Sequence, residues 1–436
     1  MSIKRVGLIS FGCPKNTADS ESLIRRLSEE AGIVFESDPE MADAVVINTC
    51  GFIEDAKRES IDAILGAAST RHAGQKLIVM GCLAKRYGAE LSAELPEVDA
   101  FFGVADEDAI VDYLRGGREA TKLTSSIAIS SLLLERGVSA PSVPIKVAEG
   151  CGRVCTYCVI PSIRGPFRSR QPDDVLREAE RYVRAGAREL VLVAQDLTAY
   201  GRGTGYGLPQ LIRDISSISG DFWVRPMYLH PSGVDDALLE VFAAGGKVVP
   251  YIDMPLQHSE QKVLKAMGRP GTHKSLLALV RRIRRAVPGV ALRTTFIVGF
   301  PGEGVEEFNG LMDFIDEARF DRMGVFEYSR QEGTPASMLK GQVPKRTKDS
   351  RFHRAMTLQS GISLEANQAL VGMKLRALVE EAMGGGAPAI ARIATQAHEI
   401  DGMTIIHNPG GLRRGEFVDV RITRALDYDL EAVPAA

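Results

Sequence analysis

The chain has 436 residues, 45% of them hydrophobic and 25% charged, and a net charge of −3. That length predicts two or three domains, each with its own core, and the near-neutral charge excludes a protein that coats nucleic acid with one large positive field. No apolar run approaches the roughly 18 residues of a membrane span and the N-terminus has no signal-peptide stretch, so the expectation is a cytoplasmic protein with no membrane partner, whose cysteines act as ligands or catalysts rather than disulfides.

Three Val/Ile/Leu-rich runs open the chain, "RVGLIS", "ADAVVIN" and "KLIVM", and each leads into a cysteine: Cys13, Cys50 and Cys82. Helical stretches follow them, "DSESLIRRLSEE", "EDAKRESIDAILGAA" and "AKRYGAELSAEL". Short apolar strands alternating with helices predict a parallel-sheet α/β domain over residues 1–116. All strand C-termini of such a sheet open on one edge, where ligands bind. Three cysteines far apart in sequence therefore meet there. One such cysteine would read as a core thiol; three at the same strand-end position read as a ligand set.

Residues 117–142 read as a linker. After the run "VPIKVAE" comes "EGCGRVCTYCVIPSIRG", which holds the other three cysteines, Cys151, Cys155 and Cys158, spaced Cys-x3-Cys-x2-Cys. Structural zinc sites close with four ligands, and none of the seven histidines stands close in sequence to either triad. A 4Fe–4S cube normally takes four thiolates, so three would leave one iron open to an exchangeable ligand.

Five further strand-like runs, "ARELVLVAQD", "FWVRPMYLH", "KVVPYIDMPLQ", "VALRTTFIVGF" and "FDRMGVFEYS", alternate with amphipathic helices such as "PDDVLREAERYVRAG". With "VPIKVAE" they make six βα units and predict a partial (β/α)6 barrel over 143–367, whose site lies at the strand C-termini. Gln195, Asp196, Gln257, His258 and the turn Gly299–Glu303 fall there. The basic stretch "KRTKDSRFHR" at 345–354 reads as a solvated helical face. From 368 to 436, β-type runs punctuated by "GGGAP" and "NPGG" predict a small antiparallel β-barrel.

These motifs carry a resemblance. "CGRVCTYC" resembles the cluster loop of radical S-adenosylmethionine (SAM) enzymes. With a second cysteine triad upstream, the chain is similar to the radical SAM methylthiotransferases, and the C-terminal barrel resembles a TRAM domain. "GCPKNTADSE", "INTCGFIEDA", "GCLAKRY", "AQDLTAYG" and "DMPLQHSEQKVLKAMGRP" look like the RimO branch, which modifies an aspartate of protein twelve of the small ribosomal subunit. Where that branch commonly has Ser-Pro-Glu-Glu-Gly, this chain has Ser329, Arg330, Gln331, Glu332 and Gly333.

The resemblance implies a central barrel of radical SAM type and two 4Fe–4S clusters. One, on Cys151, Cys155 and Cys158, binds and cleaves SAM. The other, on Cys13, Cys50 and Cys82, carries sulfur. It further implies SAM contacts by Gln195, Gln257 and Arg293, an adenine contact by Tyr157, and two SAM molecules per reaction. No catalytic residue beyond the cluster ligands is implied. The substrate would be a basic ribosomal protein, free or within a ribosomal particle, and the electron donor a flavodoxin or ferredoxin. An aspartate β-carbon has a feebly acidic C–H bond, beyond the roughly 10²–10⁴-fold help of a general base; hydrogen-atom abstraction avoids that barrier.

Two other readings compete. A related branch modifies the adenosine beside the tRNA anticodon, but residues 368–436 hold seven Lys/Arg against nine Asp/Glu, a poor surface for phosphates. A non-catalytic iron–sulfur or zinc protein that binds RNA or ribosomes would not explain why each triad lacks a fourth ligand.

Overall fold

The structure is a computed structural model and describes residues 3–104, 106–116, 121–122, 141–383 and 386–435. Most of the expected linker, 117–142, lies outside the described residues.

The first domain is a six-stranded sheet: β1 (Arg5–Ser10), β2 (Val34–Phe35), β3 (Ala44–Thr49), β4 (Lys76–Gly81), β5 (Ala100–Phe102) and β6 (Thr121–Lys122). All pairs are parallel and the order is β2-β1-β3-β4-β5-β6. Every residue of β3 is buried, because its side chains feed two cores. Ala44 and Val46 pack on one face with Leu23 and Leu27 of α1 (Pro14–Ala31). Val45 and Ile47 pack on the other with Ile64 of α2 (Glu54–Thr70) and Leu83 of α3 (Cys82–Glu94). The chain reverses direction across the sheet between β1 and β3, and a crevice opens at such a switch point beyond the strand C-termini. A fourth helix, α4 (Glu107–Leu114), packs beside α1.

The central domain has six parallel strands in two three-stranded halves. One half runs β7 (Ser142–Lys146), β10 (Glu189–Val193), β11 (Trp223–Pro226); the other runs β12 (Tyr251–Asp253), β13 (Ala291–Val298), β14 (Arg322–Glu327). The halves meet at a single bridge, Val224 to Val248, so the curved sheet is a partial barrel with a thin seam. A two-residue antiparallel pair, β8 (Ala148–Glu149) and β9 (Arg168–Ser169), brackets the cysteine loop. Outer helices cover the sheet, among them α7 (Leu208–Ser217), α8 (Asp236–Ala244), α10 (His273–Ala286) and α11 (Val305–Ala318). In α6 (Pro172–Arg184) proline opens the first turn, Asp173 and Asp174 face the positive helix end, and Arg181 and Arg184 face the negative one. Its buried residues Val175, Ala179 and Tyr182 recur at i, i+4 and i+7, as an amphipathic helix requires. The 345–354 stretch begins the long helix α12 (Lys345–Gln368), which leans on β14.

The last domain closes five strands into a barrel: β15 (Lys374–Glu381), β16 (Ala389–Ile393), β17 (Thr404–Ile406), β18 (Phe417–Ala425) and β19 (Leu430–Pro434). Four of its pairings are antiparallel, while β17 and β19 run parallel to complete the closure. This barrel seats on the starting ends of the central strands. Glu189, the first residue of β10, is fully buried and accepts from Arg225 Nε at 2.7 Å, Ser142 Oγ at 2.7 Å and Arg392 Nη2 of β16 at 2.6 Å. The Trp223 and Phe417 rings meet at 4.9 Å. Among the described residues no helix is long and apolar enough to cross a membrane.

Candidate functional site

The first triad forms at the switch point. Cys13 follows β1 and caps α1, Cys50 follows β3, and Cys82 follows β4 and opens α3. Register puts Ser10 beside Asn48 and Thr49 beside Gly81, so the three cysteines emerge at one level of the sheet edge. Two glycines allow the strand ends to close up. A Cβ on Gly12, whose φ is 100°, would lie 3.0 Å from Cys50 Cβ, and one on Gly51 would lie 2.9 Å from the Leu83 backbone nitrogen.

Asn16 ties the edge together, donating to Phe11 O at 2.9 Å and Thr49 O at 3.1 Å while its Oδ1 stands 4.0 Å from Cys82 Sγ. Ser60 Oγ accepts from the Cys50 amide at 3.0 Å. Burial opposes a thiolate at Cys13, yet Lys15, Arg164 and the amides opening α1 outweigh it and hold its pKa below the ordinary range. Burial pushes the Cys50 thiol up to about 11, with repulsion from Cys82 and Cys13 adding to it, and raises Cys82 against the pull of Arg164.

The second triad lies on the loop after β8. Met267 O accepts from the Thr156 amide at 3.0 Å and Ala266 O from Thr156 Oγ1 at 2.8 Å, which fastens the loop to the end of α9 (Gln261–Ala266). Arg153 reaches from the loop to Asp196 Oδ2 at 2.6 Å. Arg269 places Nη1 3.8 Å from Cys155 Sγ while Nη2 donates to Pro255 O at 2.7 Å. Burial raises the pKa of Cys151 and pushes Cys158 up to about 12, with Cys155 and Cys151 contributing repulsion at the latter.

A short chain of contacts joins the two triads across the domain boundary. Arg164, at the end of α5 (Ile160–Arg164), donates to Asn16 Oδ1 at 2.7 Å, Asp19 Oδ2 at 3.1 Å and Glu149 Oε1 at 3.0 Å. Lys146 pairs with Asp19 and, at 2.6 Å, with Glu149. All five side chains are buried or nearly so. Glu149 stands two residues before Cys151, and Asn16 three after Cys13.

Of the four residues expected to contact SAM, three stand on the C-terminal side of the central sheet. Gln195 follows β10. Gln257 follows β12 with a left-handed φ of 74°, its amide donating to Thr295 O and its carbonyl accepting from Ile297 N, both at 2.8 Å. Tyr157, in the cysteine loop, packs its ring edge-on to Phe300 at 6.5 Å. Arg293 is elsewhere: it is the third residue of β13, donates to Asp253 Oδ1 at 2.9 Å, and lies 3.7 Å from Asp401 of the last domain. Reading the sequence missed Asn16, Lys15, Glu149, Arg164, Asp253 and Arg269. The charged residues bracketing the motif in "EGC" and "SIRG" were the available signal for two of them.

Each donor set is all sulfur, with arginine or lysine beside it. Such a set suits soft iron–sulfur ligation, in which the bound metal draws the protons off raised thiols and nearby cations offset thiolate charge. Among the described residues no three His, Cys, Asp or Glu side chains close around a single ion.

Family models match the chain in three blocks: Uncharacterized protein family UPF0004 over residues 5–103, the Radical SAM superfamily over 145–315 and the TRAM domain over 371–434. Over 433 residues the chain is 48% identical to the ribosomal protein uS12 methylthiotransferase RimO of Thermodesulfovibrio yellowstonii, spanning 99% of this chain and 100% of that one. It is 43% identical over 430 residues to the protein of the same name from Carboxydothermus hydrogenoformans, 97% of each. The radical SAM methyltransferase TsrM from Kitasatospora setae, solved with cobalamin and a 4Fe–4S cluster, shares the fold at a TM-score of 0.57 and 14% identity over 86% of this chain and 76% of that one. The cobalamin-dependent radical SAM enzyme OxsB aligns at 0.51 and 13% identity over 82% of this chain, which spans 56% of its length.

Proposed function

The chain belongs to the family of ribosomal protein uS12 methylthiotransferases, and from that premise we propose that it places a methylthio group on the β-carbon of an aspartate of uS12. The observation that carries this reading is the pair of three-thiol sites joined through Arg164, because transfer from one site to a carbon activated at the other requires both to be held at fixed separation. When bound, two 4Fe–4S clusters and SAM supply the one-electron chemistry that removes a hydrogen atom from the β-carbon and delivers sulfur to it.

The protein's own residues hold and orient. Cys151, Cys155 and Cys158 are assigned to the SAM-binding cluster, and Cys13, Cys50 and Cys82 to the sulfur-carrying one. Arg269 offsets negative charge at Cys155, and the Arg153–Asp196 pair sets the loop's angle. Tyr157, Gln195 and Gln257 are assigned to SAM; Arg293 serves through Asp253, whose carboxylate it engages. Positive φ at Gln257 and Tyr228 supports a demanding geometry at this edge, since such strain in non-glycine residues collects at functional sites. A flavodoxin or ferredoxin is the assigned electron donor.

The test is anaerobic reconstitution with iron and sulfide, then mass spectrometry of a uS12 peptide after adding SAM and reductant. The expected product is one methylthio group on the aspartate, absent from the Cys13→Ala and Cys151→Ala proteins. SAM cleavage with modification of tRNA and not of uS12, as peptide or in the ribosomal subunit, would overturn the substrate. A sample holding both clusters that cleaves no SAM would overturn the chemistry.

A further inference from the structure

Lys15 is 6% exposed, yet among the described residues no carboxylate stands within ion-pair distance of its ammonium. Its near contact is the Tyr228 ring, whose centroid lies 3.3 Å from Nζ. Several other buried cations meet carboxylates, Lys146 and Arg164 with Asp19 and Glu149 and Arg225 with Glu189, while Arg25 and Arg322 at least donate to neutral side chains, Ser22 for the first and Ser363 and Asn367 for the second. The charge partner of Lys15 is the Cys13 thiol, which it helps to ionise, so this buried ammonium has sulfur but no carboxylate beside it, a costly arrangement that calls for a reason.

Location supplies one. Lys15 follows Cys13 by two residues and extends from the first triad across the domain boundary to Tyr228, beyond the end of β11. Tyr228 is pinned there in a left-handed conformation, φ 61°, its amide donating to Asp253 Oδ2 at 3.0 Å. Asp253 is the nearby acid that might have neutralised the lysine, but its oxygens are taken by Arg293 and by that amide. The ammonium therefore stands between the first triad and the C-terminal end of the central sheet, against an aromatic face and with no carboxylate paired to it among the described residues.

Resting on the uS12 reading above, we propose that Lys15 is the residue that receives the side-chain carboxylate of the substrate aspartate. The carboxyl carbon is bonded directly to the β-carbon that is modified. A charge-assisted hydrogen bond from Nζ to the carboxylate therefore holds the reacting carbon beside the first triad and facing the second. The same contact explains selectivity for aspartate over asparagine, because a neutral amide in that position would leave the lysine uncompensated.

The experiment uses the full chain reconstituted with iron and sulfide, a uS12 peptide with its aspartate, and the same peptide with asparagine there. Binding of both is measured for wild type, Lys15→Met and Lys15→Arg, together with peptide-independent SAM cleavage and the electron paramagnetic resonance of the clusters. The wild type is expected to bind the aspartate peptide about 30-fold or more tightly than its twin. Lys15→Met should bind the two within about threefold of each other, and Lys15→Arg should recover part of the preference; the cluster spectra and SAM cleavage separate this from loss of the counter-charge at Cys13.

A Lys15→Met protein that keeps the wild-type preference overturns the proposal. So does an altered cluster spectrum with the preference intact, which would leave Lys15 as a counter-charge for Cys13 alone. Should Lys15→Met fail to load clusters, wild type and Lys15→Arg decide: equal binding of both peptides by the wild type is fatal. Failure of the wild type to modify the aspartate peptide or uS12 itself removes the substrate reading and this inference together, whereas modification with an unchanged preference in Lys15→Met removes the inference alone.

Discussion

Cys13, Cys50 and Cys82 stand at the ends of three adjacent strands of one sheet, whereas Cys151, Cys155 and Cys158 share an eight-residue loop outside any strand. The first site is built by long-range packing: Cys82 is 4% exposed, Asn16 bonds the end of β3 at Thr49, 33 residues away, and Ser60 of α2 holds the Cys50 backbone. The second is local in sequence and partly open, with Val154 82% exposed between two of its cysteines and a few hydrogen bonds fastening the loop to α9. A sheet edge moves little, which suits the sulfur-carrying role proposed for this site. A loop fastened at a few points leaves room around its cysteines, which suits the SAM-admitting role proposed for this site. The buried cluster of Asn16, Asp19, Lys146, Glu149 and Arg164 ties the two together, with Lys15 against Tyr228 and Cys82 packed against Val159 and Ile163 beside it.

The sharpest way to break that comparison is to remove one triad at a time. Cys151→Ala should abolish both SAM cleavage and methylthio transfer, while Cys13→Ala should abolish transfer and leave cleavage, read as 5′-deoxyadenosine by chromatography. Loss of cleavage in a Cys13→Ala protein that retains iron at the second site would show that the sites are not separable.

Next in size is the bridge. Arg164→Met leaves Asp19 and Glu149 with Lys146 as their remaining cation, and breaking a buried pair in this way costs about 3–5 kcal/mol. The urea midpoint should fall accordingly, and the first site should lose iron before the second. Arg164→Lys keeps the charge but not the fork that spans Asn16 and Glu149, so it should recover only part of the loss. A midpoint within error of wild type for Arg164→Met would end the argument that this cluster binds the domains.

The support beneath the second site should respond to pH. Glu303 accepts from the Gly299 amide at 2.5 Å, the Phe300 amide at 3.1 Å and Arg351 at 3.1 Å, and the Phe300 ring backs Tyr157. Burial raises its pKa from 4.5 to about 7 against the pull of Arg351. The folded protein thus binds this proton more tightly than the unfolded chain. Its contribution is present below about pH 4.5 and is lost as pH rises through about 7, an effect of up to about 3 kcal/mol. Denaturation midpoints taken from pH 5 to 8 should decline more steeply in wild type than in Glu303→Gln; parallel profiles would contradict the assignment.

The smallest expected effect concerns the loop's angle. Arg153→Ala removes a mostly buried partner from Asp196 and should cost about 1 kcal/mol, seen as a higher KM for SAM with methylthio transfer otherwise intact. A drop in kcat with KM unchanged would instead place Arg153 in the reaction itself.

Much of this protein was legible before any coordinates. The strands around Cys13, Cys50 and Cys82 announce themselves as short apolar runs ending in cysteine, α6 announces itself by an opening proline and charges suited to its ends, and the Cys151–Cys158 loop is a contiguous pattern. These features are local, so neighbouring residues specify them whatever the rest of the chain does. Even the meeting of the first triad follows from them, because strand–helix alternation forces a parallel sheet with one common edge.

Tertiary structure alone decided what stands between the sites. Lys15 meets Tyr228, Asn16 meets Arg164, and Arg293 meets Asp253 and Asp401, partners separated by 40 to more than 200 positions. The closure of the last barrel through a parallel β17–β19 pair, and its seating on the starting ends of the central strands through Glu189 and Arg392, belong to the same class. A charged side chain in sequence carries no record of its partner, since Lys15 and Lys146 look alike in a string of letters. Which of them meets carboxylates and which meets an aromatic ring is set by how two domains bury their surfaces against each other, and desolvation then decides the energy of each arrangement.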